Sequence, residues 1–78
     1  MNRQEILNII EQAFDKQNIE IDEITESTVY NLSVNECIYV EQEIEELLYL
    51  PVGECDDIIA KSDIISEVID KLIEIIPK

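Results

Sequence analysis

Ser33-Val34-Asn35-Glu36-Cys37-Ile38-Tyr39-Val40-Glu41-Gln42-Glu43-Ile44-Glu45-Glu46-Leu47-Leu48-Tyr49-Leu50-Pro51 is the stretch that decides the fold class. Ser33 followed by Glu36 is a capping box. The hydroxyl takes one orphan amide at a helix start, and the glutamate reaches back for another. Behind the cap, Val34, Cys37 (with Ile38), Val40, Ile44, Leu47 and Leu48 form a stripe at three- and four-residue spacing, which predicts an amphipathic helix. Glu41, Glu43, Glu45 and Glu46 fall between those positions and are expected to form its acidic outer face. Pro51 ends the helix, because its ring excludes helical geometry in the residue before it.

The flanks extend the helical pattern. Ile6, Leu7, Ile10, Ala13 and Phe14 make one apolar stripe, so residues 4 to 15 read as a helix with Asn2 as its N-cap. Residues 18 to 32 lose that period. Ile19, Ile21, Ile24, Val29 and Leu32 are scattered among polar residues, which predicts a long ordered connection plugged into the core. Loops of this length in compact domains tend to be functional. After Gly53, Cys55 to Ala60 are expected to form a short third helix. Ser62 or Asp63 then caps a last one, whose apolar face is Ile64, Ile65, Val68, Ile69, Leu72, Ile73 and Ile76, with Pro77 as its stop. The expectation is all-α: a single domain over residues 1–78, a four-helix bundle of three long helices and one short one with a long first loop.

Composition agrees with a folded chain that has little margin. It has 78 residues, of which 46% are hydrophobic, enough for one modest core near the lower size limit for folding without staples. The two cysteines, Cys37 and Cys55, are too few for a disulfide scaffold and read as free thiols of a reducing compartment. The polar start Met1-Asn2-Arg3-Gln4-Glu5 gives no sign of a leader. No apolar run nears the roughly 20 residues a membrane helix needs. The expected location is the cytoplasm, with no membrane partner.

The formal charge is −14, and it is concentrated: no Lys or Arg lies between Lys16 and Lys61, a stretch that holds twelve acids. Such a field repels nucleic acid and attracts basic protein surfaces. Catalytic schemes fare badly. Without a histidine, Ser-His, Cys-His and His-ligated metal chemistry are excluded. The single glycine, Gly53, cannot build a phosphate-cradling loop. The acids lack calcium-loop spacing. Adjacent pairs such as Glu45-Glu46 and Asp56-Asp57 diverge on a helix rather than converge. The expectation is a monomeric protein that is no enzyme and works by being bound.

The layout resembles the acyl carrier and peptidyl carrier proteins over nearly the whole chain. Ile24 to Glu36, running through Asn31-Leu32-Ser33-Val34-Asn35-Glu36, is similar to that family's loop ending in Leu-Gly-x-Asp-Ser-Leu, whose serine carries phosphopantetheine. Glu45-Glu46-Leu47-Leu48-Tyr49-Leu50-Pro51 is similar to the Glu-Glu-Phe-x-x-x-Ile-Pro that closes the family's second helix. No Asp-Ser-Leu triplet is present. Aligned on Leu32, Glu36 stands at the modified serine; aligned on Pro51, Ser33 does. Ser33, at the start of a helix, is the candidate attachment residue for 4'-phosphopantetheine. The resemblance implies that Glu36, Glu41, Glu45, Glu46 and Tyr49 dock basic patches of partner enzymes.

A second resemblance points to another class. Leu47-Leu48-Tyr49-Leu50-Pro51 followed by Asp56-Asp57 is similar to the Leu-Ile-Tyr-Tyr-Pro and acidic run of colicin-nuclease immunity proteins, although only one of the two tyrosines is kept. It implies an acidic inhibitor that binds a basic nuclease, or a mimic of nucleic acid, with Tyr49 as the aromatic anchor.

Overall fold

The computed structural model describes residues 1–76. Its three α-helices are α1 (Arg3–Lys16), α2 (Val34–Leu47) and α3 (Ile65–Ile75). The fold is all-α: the only β feature among the described residues is an isolated antiparallel bridge between Val29 and Ile64. Both α2 and α3 pack on α1. Between them Ile6, Ile10, Phe14, Val40, Ile44, Ile65, Val68, Ile69 and Leu72 are fully buried.

The caps follow from local chemistry. Asn2 accepts from the Glu5 amide at 2.8 Å and Glu5 returns to the Asn2 amide at 3.1 Å, a capping box that opens α1. Ser33 and Glu36 do the same for α2. Both helices end in Schellman turns, in which a left-handed residue lets the last carbonyls find donors. In α1 that residue is Asn18 (φ 59°), and Ile19 N donates to Phe14 O at 3.0 Å. In α2 it is Tyr49 (φ 56°), and Leu50 N donates to Glu45 O at 2.8 Å. The second helix therefore stops at Leu47, before Pro51 exerts its effect.

The start of α3 departs from the sequence reading. Its N-cap is Ile64, with no side-chain cap from Ser62 or Asp63. The long connection does the capping. The Ile65 amide donates to Thr28 O and the Ser66 amide to Glu26 O, both at 2.9 Å, while Tyr30 N donates to Asp63 O at 3.1 Å. The expected stop at Pro77 lies outside the described residues.

The short third helix also gives way to something else. Residues 52–61 form a run of successive turns rather than an α-helix. Asp57 adopts φ 65°, which breaks any helical run through Cys55 to Ala60. Four amides of this segment are taken by side chains of α2 instead of by carbonyls one turn back. The expected fourth helix is thus a turn-rich segment, with Cys55, Ile58 and Ile59 in the core.

The connection of residues 18–32 is plugged in chiefly by Ile24 and Tyr30; Val29 stays exposed. Tyr30 meets the Phe14 ring edge-on, with centroids 6.1 Å apart, and donates its hydroxyl to Ile59 O at 2.6 Å. Burial pushes the Tyr30 phenol well above its usual range, so it remains a donor at neutral pH. In Tyr30→Phe the Ile59 carbonyl loses its buried donor. The expected loss is about 1–2 kcal/mol, read as a lower midpoint in thermal or urea unfolding. Outside the core, Arg3 reaches Glu26 (Nε at 2.9 Å) and Asp70 (Nη1 at 2.7 Å), tying the start of α1 to the connection and to α3.

Candidate docking face

The glutamates of α2 do not share one side. Glu41 and Glu45, one turn apart, are only 6% and 5% exposed. One oxygen of Glu45 accepts from Gly53 N at 2.9 Å and from Cys55 N at 2.8 Å. One oxygen of Glu41 accepts from Ile59 N at 3.0 Å and from Ala60 N at 3.3 Å. Glu43 is also buried, beside Lys16 Nζ at 3.6 Å. The acidic outer face expected from the sequence is therefore corrected. Three of its four members turn inward, and Glu41 and Glu45 are not available to grip a partner as they stand. Their role is to hold residues 53–60 against α2 by charge-assisted bonds to backbone amides.

Of the other residues singled out from the sequence, Glu46 and Ser33 are exposed and Glu36 is half-buried at the helix start. Tyr49 is 95% exposed. The outward side of α2 carries Asn35, Ile38, Tyr39, Gln42 and Glu46, at helical spacing and all exposed. Val34 stands exposed in the first turn, and Val52 is 95% exposed just beyond the helix. The face presented to solvent is thus a mixed apolar and aromatic strip that ends at Glu46, and Glu54, Asp56 and Asp57 are exposed on the segment that follows α2. Sequence reasoning missed Ile38, Tyr39 and Val52 as members of this face. The stripe read from the sequence included Val34 and Ile38, but both are exposed, and Ile38 and Tyr39 lie on the helix away from Val40 and Ile44.

Ser33 is the residue to which the carrier resemblance would attach phosphopantetheine, and its neighbours decide whether the group fits. Ser33 Oγ accepts from Glu36 N at 3.2 Å, and Glu36 Oε1 accepts from Ser33 N at 2.9 Å. A phosphodiester on this serine would draw on the amides and positive end of α2. The Glu36 carboxylate already holds that end, and among the described residues it makes no ion pair with a lysine or arginine. A second anion there would meet a like charge with no cation between them. The residues do not fit the group.

Both thiols are buried and unpaired by disulfide. Burial pushes Cys55 up to about 12 and raises Cys37 as well, so neither is a nucleophile at neutral pH. No three acidic or cysteine side chains among the described residues are grouped to hold a metal. No helix among them is long and apolar enough to cross a membrane. Compared with protein-family models, with curated proteins and with solved structures, the chain matches none.

Proposed function

We propose that this chain is a carrier-protein-like docking module, bound by basic partner enzymes through the outer face of α2 and working without a phosphopantetheine arm. The observation that carries the reading is the exposed strip of Val34, Ile38 and Tyr39 on α2, in a chain of charge −14. Exposed apolar side chains on so acidic a chain suit a partner that offers an apolar patch beside lysine and arginine. The same charge disfavours a second copy, so the chain acts as a monomer. Supporting the carrier likeness is the order of parts: helix, long connection, helix, short turn-rich segment, helix. In this reading residues 52–61 stand where a carrier protein has its short third helix, so the four-element layout is kept in weakened form. The proposed compartment is the cytoplasm, in keeping with two buried free thiols.

The second reading, an acidic inhibitor of a basic nuclease, is favoured by one observation, the fully presented ring of Tyr49. Aromatic anchors of that kind dominate many interfaces.

Two experiments test the proposal. Incubation with coenzyme A and a broad phosphopantetheinyl transferase is expected to leave the intact mass unchanged; a gain of one arm overturns the armless reading. A photo-crosslinking residue at Gln42, in the chain expressed in its own cells, is expected to trap one dominant basic enzyme. Tyr39→Asp should abolish the adduct without altering helicity. A nuclease in the adduct moves the chain to the second reading, and an adduct that survives Tyr39→Asp removes the docking face.

A further inference from the structure

Resting on the docking reading above, we infer that the depression at the C-terminal end of α2 is a pocket for an apolar side chain of the basic partner, with the Tyr49–Val52 corner as its rigid apolar edge. The depression, about 380 Å³, opens to solvent and is lined by Gln42, Glu45, Glu46, Leu50 and Val52. Tyr49 precedes Leu50 in the chain, and its ring and the Val52 side chain are both 95% exposed.

The choice of residue at position 49 is the first sign that this corner does more than turn the chain. It occupies the left-handed place of a Schellman turn at φ 56°, where glycine or asparagine is at ease and a bulky side chain is strained. The equivalent place in α1 is filled by Asn18. Packing does not explain the tyrosine, because its ring touches solvent on nearly every side. Local strain retained without a packing gain is the mark of a working residue.

The second sign is how firmly the corner is held. Glu45 fixes both of its sides: its carbonyl takes Leu50 N at 2.8 Å, and its carboxylate takes Gly53 N and Cys55 N at 2.9 and 2.8 Å. A corner whose backbone is already fixed loses less freedom on binding, which is what an interface anchor needs. Charge selects the occupant. Glu46 lines the pocket, Glu54 and Asp56 are exposed on the following segment, and no Lys or Arg occurs between Lys16 and Lys61. The fitting chemistry is a leucine-like side chain flanked by lysine or arginine.

The probe is a synthetic helical peptide with a row of leucines flanked by lysines, alongside the same peptide with glutamates in place of lysines. Each is titrated into the full ¹⁵N-labelled chain. The lysine peptide is expected to shift the amides of Gln42, Glu46, Tyr49, Leu50 and Val52, less so as salt is added, and the glutamate peptide to shift none. Tyr49→Gly relieves the strain and should melt about 4–8 °C higher. It should nevertheless bind the lysine peptide about tenfold or more weakly, a combination that a purely structural tyrosine would not give; Val52→Ser should weaken binding in the same way. Unchanged binding in both variants overturns the pocket, as do shifts spread evenly over all the exposed acids. Shifts confined to Val34, Ile38 and Tyr39 overturn the pocket and leave the docking reading standing. A lysine peptide that shifts no residue of α2 overturns both.

Discussion

Glu45→Ala is expected to destabilise the chain by about 3 kcal/mol, because one buried and one part-buried backbone amide lose their acceptor at once and each orphaned donor costs roughly 1–3 kcal/mol. The amides are those of Gly53 and Cys55, and no other acceptor is bonded to either. For a domain of this size that loss lowers the melting temperature by roughly 12–24 °C, a large share of a total stability on the order of 5–10 kcal/mol. The neighbouring Glu46→Ala is the control. Its side chain is exposed and bonds to no amide, so the change should stay within about 0.5 kcal/mol. If the two variants melt together, the carboxylate of Glu45 is not what pins residues 53–55. Hydrogen exchange adds a local readout: the Cys55 amide should lose protection in Glu45→Ala before the core of α1 does.

The sequence made the helices legible and misplaced part of their chemistry. The Asn2 cap and the Ser33–Glu36 capping box stand where the pattern puts them, since a cap is decided within four residues, and the structure adds the return bond from Glu5 to Asn2. The apolar stripe of α1 and most of that of α3 matched the buried faces for the same reason: Ile6, Ile10 and Phe14, and Val68, Ile69 and Leu72, repeat at the helical period, while Ile73 is exposed. What failed was long-range. The cap of α3 comes from carbonyls of Glu26 and Thr28, far away in the chain, and no local pattern encodes a backbone acceptor. The short helix over Cys55 to Ala60 failed because its amides had better offers from Glu41 and Glu45.

Assigning those two glutamates to solvent was an error that residue type encouraged. On a helical wheel Glu41 falls between Leu48 and Val34, inside the stripe read from the sequence, and Glu45 falls near its edge, between Val34 and Ile38. An acid at a core position of a helix that is followed by a helix-poor, turn-rich segment is the signal of a buried acceptor. Reading it requires giving position priority over charge. The exposed row of Ile38 and Tyr39 is the other half of the same inversion: α2 buries acids and shows apolar groups, so the partner-facing side is defined by what the core declined.

Glu41 should behave differently from Glu45, and the difference is visible against pH. Burial raises its pKa even though the Ile59 and Ala60 amides pull the other way, and the nearby charge of Asp57 adds to the rise. Because the folded chain holds this proton more tightly than the unfolded chain does, the charged form weighs against folding at neutral and alkaline pH. Stability should therefore climb as pH falls through the raised value and level off near the ordinary 4.5. Glu41→Gln keeps an acceptor for both amides and removes the buried charge, so at pH 8 it should melt at or above the parent chain and flatten the climb. Glu41→Ala strips the acceptor from two amides and is expected to lose about 2–4 kcal/mol. The pair separates charge from hydrogen bonding. Should Glu41→Gln fall as far as Glu41→Ala at pH 8, the ionised carboxylate itself would be what anchors Ile59 and Ala60, and the pH profile of the parent chain would have to slope the opposite way.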